Sequence, residues 1–365
     1  MHLSDDLHKR YTKEQFSALE AQRMAEIIAW GPVVFQASRI MLKWGIFDYI
    51  RDSRNGLTIA EISEKAKQSE YAIKCLLEAS LSIGTVLIDT ESERFFLSKI
   101  GYFLSTSEAT KANLWLNHHI NYEGMFCLEE SFVESKPMGL KHFGDWKTIY
   151  EGLSSLPEEA QKSWFTFDHF YSDNSFPEAL KIVFDEYKTK KLYDIGGNTG
   201  KWALQCIEFC PEAEVTVFDL PQQIALLEKN IEGKSNKHKI TGQPINWLDP
   251  NAKLPKQDGL DAIWMSQFLD CFSEAEIQSI LERTKEAMEG STRLFIMETL
   301  WDRQRFETAA FCLTMTSLYF TAIANGNSKM YHSEDLIKVI KKSGLQVERI
   351  YDNIGLGHSI LVCKK

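Results

Sequence analysis

Leu192-Tyr193-Asp194-Ile195-Gly196-Gly197-Asn198-Thr199-Gly200 decides how the carboxyl-terminal half of this 365-residue chain folds. An apolar strand runs into a turn holding three glycines, and a helix-like segment, residues 201–209, follows it. Where a strand turns sharply into a helix with its backbone against a ligand, side chains have to vanish from the turn. The helix beyond presents free N–H groups and positive potential to an anionic group. Asp219 ends the next strand, 23 residues after Gly196, where a carboxylate can take both ribose hydroxyls. A nucleoside-bearing ligand is the expectation.

Outward from this turn the same grammar repeats. Strands are read at 191–195, 215–218, 261–265 and 293–298, with helices at 201–209, 222–230, 273–288 and 333–343. A final strand pair, 346–351 and 359–363, closes around Gly355 and Gly357. Alternating strands and helices imply a doubly wound α/β sheet with its ligand at the carboxyl ends of the strands.

Upstream, residues 110–185 are aromatic and helical in pattern: Trp115, Tyr122, Phe126, Phe132, Trp146, Tyr150, Trp164, Phe165, Phe167, Phe170 and Tyr171. Most are expected in the core, and some to line a flat apolar pocket for a planar ligand. Residues 57–105 read as helix, helix, hairpin, which is a winged helix-turn-helix. Thr58 and Ser69 cap the two helices, Ile73, Leu76, Leu77 and Leu81 form the inner face of the second, and the hairpin tip spans 89–94. Residues 14–30 and 35–50 carry apolar stripes of helices that pack on something, such as a second subunit. The expected division is 1–109, 110–185 and 186–365.

Composition excludes several classes. Asp plus Glu number 51 against 41 Lys plus Arg, a net charge of −10, whereas a chain that grips phosphate backbones carries a basic face. The would-be recognition helix of the winged segment exposes Glu70, Lys74 and Glu78, two acids to one base, against a duplex-binding regulator. No run approaches the roughly 18 apolar residues of a membrane span, and the first residues lack the layout of a secretory signal. Seven cysteines without a C-x-x-C pair fit a reducing cytoplasm.

The nicotinamide fingerprint G-x-G-x-x-G would need glycine where Ile195 stands. Asp-x-Gly-Gly-x-x-Gly instead resembles the turn that holds S-adenosylmethionine, where an acid before the glycines suits an ammonium better than a pyrophosphate. Together with Phe218-Asp219-Leu220-Pro221, the winged segment and the 273–288 helix, roughly residues 20–364 resemble the class I S-adenosylmethionine-dependent small-molecule O-methyltransferases, those of the caffeate and acetylserotonin type with their bacterial relatives. The resemblance implies a Rossmann-like domain, mostly parallel with an antiparallel last strand, preceded by a mainly helical winged-helix dimerisation domain. It also implies a homodimer whose N-terminal domains interlock, and methyl transfer from S-adenosylmethionine to a hydroxyl, often phenolic, leaving S-adenosylhomocysteine.

Carried over by position, the cofactor residues are Asp194, Gly196, Gly197, Gly200, Asp219 and Leu220. The family's Gly-Asp-aromatic segment falls on residues 245–250, where Asn246 replaces the acid and Trp247 can stack on the purine; a family lysine falls on Ser266. The family's Leu-His-Asp-Trp-Ser-Asp reads here Leu269-Asp270-Cys271-Phe272-Ser273-Glu274, so Asp270 occupies the position of the basic histidine. Glu298 matches an acid that orients that histidine, and a second such acid, expected near residues 330–332, is not recognisable. An unperturbed aspartate, with pKa about 3.9, is a weak base, but two carboxylates in one dry pocket raise one of them. Asp270 backed by Glu298 is the expected proton acceptor; the other readings are a base from elsewhere, such as His118, His119 or His169, or no base at all. The lost histidine also leaves open a cofactor-binding member without methyl transfer, of the hydroxylase or decarboxylase type.

Overall fold

Most helices in residues 14–119, one of two compact units into which the chain divides, begin where the sequence offers a cap. Ser17 and Glu20 close a reciprocal capping box on the helix Ala18–Ala29, which therefore starts later than residue 14, and Thr58 with Glu61 does the same for Ile59–Ala66. Ser69 caps Glu70–Ile83 through the Ala72 amide, and Gly84 ends it at φ +94°. The stripe read over 35–50 is two helices, Gly31–Lys43 and Ile46–Arg51, because Gly45 turns between them at φ +71°. β1 (Val86–Asp89) and β2 (Arg94–Leu97) pair antiparallel with Asp89 opposite Arg94, so the ladder takes in both ends of the expected tip. Met41, Phe47, Ile62, Ile73, Leu77 and Phe95 fill this unit's core. Leu19, Ile28, Trp30 and Val33 stay between 57% and 79% exposed.

The other unit comprises residues 1–13 and 120–365. The structure, a computed structural model, describes residues 1–170 and 173–365; Tyr171, named above, lies outside the described residues. The seven strands of its sheet are β3 (Lys191–Ile195), β4 (Glu214–Asp219), β5 (Ile240–Pro244), β6 (Ala262–Ser266), β7 (Arg293–Glu298), β8 (Gln346–Ile354) and β9 (His358–Lys364). They lie in the order β5-β4-β3-β6-β7-β9-β8, with β3 to β7 parallel and β9 antiparallel to both its neighbours. β5 escapes a sequence reading: Ile-Thr-Gly-Gln-Pro buries only Ile240, and its glycine and proline are tolerated because it is an edge strand. Apolar clusters cover both faces, one built on Trp264 stacked against Trp202 at 4.3 Å, the other on Ile195, Ile263, Leu281 and Leu294. Strand order reverses between β3 and β6, and such a switch point opens a crevice at the carboxyl ends of the strands.

The aromatic stretch is less of a core than expected. Trp164 and Phe176 are buried, but Phe126 and Phe132 are 88% and 58% exposed. An N-terminal helix, Asp5–Tyr11, also belongs to this unit; buried Asp302 accepts from the Ser333 amide and hydroxyl and lies 3.0 Å from His2 Nδ1. Among the described residues no helix is long and apolar enough to cross a membrane, and no cluster of His, Cys, Asp and Glu could hold a metal ion.

Candidate active site

The residues singled out at the turn sit together at the carboxyl ends of β3 to β7. Gly196 (φ +74°) and Gly200 (φ +79°) take the left-handed conformation the turn demands, and Gly200 immediately precedes the helix Lys201–Phe209. What crowds them is the protein's own side chains. A Cβ on Gly196 would stand 2.5 Å from the Phe268 ring, one on Gly197 2.4 Å from the Asp194 carboxylate, and one on Gly200 2.1 Å from Leu227. Phe268 thus lies across the turn, and Asp194 is held beneath it.

Asp219 ends β4 with one carboxylate oxygen accepting from the Asn198 amide (2.8 Å) and the other from the Leu220 amide (2.7 Å). Burial pushes its carboxyl up to about 6 against the pull of these two donors. Asp194 is 2% exposed, and burial, followed by the charge of Asp219, pushes it up to about 8. Asp194 Oδ2, Asn198 Oδ1 and Gln267 Oε1 are buried acceptors without a hydrogen-bond partner. Asn198 (φ 50°) and Gln267 (φ 46°) also hold left-handed backbones, strain gathered at the ends of adjacent strands.

The carried-over positions after β5 and at the end of β6 have their own contacts. Exposed Asn246 folds its Oδ1 back to the Leu248 amide at 3.0 Å. Trp247 is buried, with the Arg283 guanidinium 5.1 Å from its ring centroid and Phe268 edge-on at 6.3 Å. Arg283 is fixed there by the carbonyls of Trp247, Asp249 and Ala252. Ser266 is the last residue of β6, opposite Met297.

Asp270 (4% exposed) lies in the short turn Leu269–Cys271 after β6, and Glu298 (3%) ends β7. Glu298 Oε1 accepts from the amides of Phe268 (3.1 Å) and Leu269 (2.8 Å), tying β7 to the turn that carries Asp270, while Oε2 has no partner. Burial, then the charge of Asp270, raises Glu298 well above the usual carboxylate range. Burial pushes Asp270 up to about 6, opposed by the Cys271 thiol, which donates to its Oδ1 at 3.4 Å. The two titrate as a pair. Near 330–332, where a second acid was expected, the Tyr331 hydroxyl donates to the Phe272 carbonyl at 2.6 Å.

A third acid was missed. Asp168, on the helix Glu158–Ser172, is pushed up to about 7 by burial and then by the charge of Asp270. Its signal was a single acid inside the aromatic run Trp164 to Phe170, one helical turn after Trp164 and so on the same face. Trp164 donates to the Tyr319 hydroxyl at 2.7 Å. His169, half-buried beside it, lies 3.8 Å from Asp173, and burial lowers its pKa. His118 and His119 belong to the other unit, where His119 stacks on Trp115 at 5.4 Å and burial lowers His118 to about 4.

Residues 176–346 match the O-methyltransferase domain family and residues 22–95 the Dimerisation2-like domain family. Acetylserotonin O-methyltransferase of Macaca mulatta is 20% identical over 285 residues, 74% of this chain and 79% of that enzyme. The mitomycin 7-O-methyltransferase MmcR shares the fold at a TM-score of 0.70 and 16% identity, over 94% of this chain and 98% of that one. The O-methyltransferase NcsB1 from neocarzinostatin biosynthesis, in complex with S-adenosylmethionine and 2-hydroxy-5-methyl naphthoic acid, does so at 0.66 and 18%, over 90% and 95%. Residues 176–346 thus belong to the O-methyltransferase domain family, and a Dimerisation2-like domain precedes them.

Proposed function

We propose that this protein, as a homodimer, methylates a hydroxyl of a flat aromatic small molecule, with Asp270 as the proton acceptor and Glu298 as the acid that positions it. The residues at the ends of β3 and β4 fit S-adenosylmethionine. Asp194 Oδ2 and Asn198 Oδ1 are unmet buried acceptors where ammonium and hydroxyl donors would arrive, and Asp219 is held by two amides in a pose open to ribose hydroxyls. Asp194, Gly196, Gly197, Gly200, Asp219 and Leu220 would hold the nucleoside, with Asn246, Trp247 and Ser266 at its border. When bound, S-adenosylmethionine supplies a methyl group on a sulfonium, an electrophile that needs little further activation.

The chain's own residues do the rest. Rings from the helix Glu158–Ser172 and from Tyr150, Phe268 and Tyr319 would hold the acceptor flat, and positioning its oxygen in line accounts for most of the rate. Asp270, ionised while Glu298 stays protonated, takes the hydroxyl proton. The single observation that carries this reading is the burial of Asp270 against Glu298, which turns a weak carboxylate base into a usable one. The neighbouring structure with a naphthoic acid supports an aromatic acceptor, and the Dimerisation2-like domain supports the homodimer.

The test is S-adenosylhomocysteine formation with a panel of phenols and catechols. Asp270→Asn is expected to lower kcat by roughly 10²–10⁴-fold, the usual contribution of a general base, while the calorimetric affinity for S-adenosylhomocysteine holds. Full activity in that variant removes Asp270 as the base.

A further inference from the structure

Hydrogen bonds from three elements hold the backbone of the turn around Asp270. The amides of Phe268 and Leu269 donate to Glu298 at the end of β7. The Asn325 side-chain amide donates to the Cys271 carbonyl at 2.5 Å and is itself 2.7 Å from the Ser328 hydroxyl. The Tyr331 hydroxyl donates to the Phe272 carbonyl at 2.6 Å. None of these bonds touches the Asp270 carboxyl. Among the described residues one side chain donates to it, the Cys271 thiol, with Sγ 3.4 Å from Oδ1.

A thiol is a weak donor, and here the weakness has a use. A carboxylate that accepts several strong hydrogen bonds falls far below the ordinary range, where it takes up no proton. An S–H donor fixes the direction of Oδ1 and costs the carboxylate little of its basicity, so burial still wins and Asp270 stands at about 6. Burial, then the charge of Asp270, raises the Cys271 thiol well above its ordinary value, so the sulfur keeps its proton near pH 7 and remains a donor. The titratable groups that act on this pair from other elements are Glu298, Tyr150, Tyr319, Tyr331 and Asp168. None of them is a cation that could take the place of the thiol.

Resting on the function proposed above and deepening it, we propose that Cys271 is the positioning residue of the base: its thiol donates to Asp270 Oδ1 and holds the carboxylate toward the acceptor hydroxyl while leaving its basicity in place. The thiol proton stays on sulfur throughout, and no bond to sulfur forms or breaks when Asp270 takes the hydroxyl proton.

Two measurements test this. The first needs no methyl acceptor: the infrared S–H stretch of the full-length protein saturated with S-adenosylhomocysteine, taken as the difference between native protein and Cys271→Ala. At pH 8 the Cys271 band is expected below the frequency of a free thiol, and it should move back up as pH falls through about 6. In Asp270→Asn that movement should be absent. The second is the pH profile of kcat in Cys271→Ser and Cys271→Ala. The serine hydroxyl is a stronger donor, stabilises the ionised carboxylate and should move the acid limb to lower pH. Alanine donates nothing and should move it to higher pH, with kcat on the plateau falling more than KM changes. Each shift is expected to be roughly half a unit or more, the low end of what one net hydrogen bond supplies. A Cys271 band at the free-thiol frequency at every pH, or one that moves equally in Asp270→Asn, overturns the proposal. So do acid limbs that coincide or shift in the same direction in the two variants. A band that tracks Asp270 while Asp270→Asn keeps full activity would strike the base reading on which the proposal rests.

Discussion

Asp270 differs from an aspartate in water only by what surrounds it. Burial raises it to about 6 from an ordinary value near 3.8, while burial and then the charge of Asp270 raise Glu298 well above the usual carboxylate range. Asp270 must be ionised to accept a proton, so kcat should fall as pH drops through about 6, and this acid limb should vanish from the residual activity of Asp270→Asn. An acid limb that persists unchanged in that variant assigns it to another group. Asp219 is proposed to hold the nucleoside. Asp219→Ala should weaken S-adenosylhomocysteine binding by roughly 1.5–3 kcal/mol, the range for hydrogen bonds to a charged group. An unaltered Kd excludes its role at the ribose.

The turn after β3 acts as one element, because its glycines serve three different neighbours. Gly200 makes room for Leu227, Gly197 for Asp194 and Val217, and Gly196 for Phe268. Gly196→Val would force a branched side chain to φ +74° with its Cβ 2.5 Å from the Phe268 ring. Either the turn or Phe268 must move, and both border the proposed nucleoside position. Calorimetric S-adenosylhomocysteine binding is expected to be lost in this variant, with circular dichroism reporting whether the fold persists. Wild-type affinity would show that the turn does not face the ligand.

At the scale of the whole molecule, the unit of residues 14–119 leaves apolar surface that its own core does not cover. Ile28 is 71% and Trp30 61% exposed at the junction of the helices Ala18–Ala29 and Gly31–Lys43, inside the segment that matches the Dimerisation2-like family. Burying each such side chain in a dimer contributes roughly 1.5–3 kcal/mol. The double variant Ile28→Asp, Trp30→Asp should therefore run as a monomer in size-exclusion chromatography with light scattering, whereas the native chain is expected to run as a dimer. Dimers of undiminished stability in the variant would place the interface elsewhere.

Sequence alone determined what depends on neighbours along the chain. Caps at Thr58, Ser69 and Ser273, helical periodicity, and glycines that alone tolerate the β3 turn wrote the winged segment and most of the Rossmann-like sheet into local pattern. The edge strand β5 failed that reading because one buried isoleucine leaves no alternation to see. Tertiary structure decided the chemistry of the acids. Asp168, Asp270 and Glu298 stand far apart in the chain, and only the packing of the helix Glu158–Ser172 and the ends of β6 and β7 brings the charge of Asp270 to bear on the other two and buries Asp270 and Glu298. A carboxyl's affinity for its proton is set by solvent and by charges across space, and neither is a property of adjacent residues.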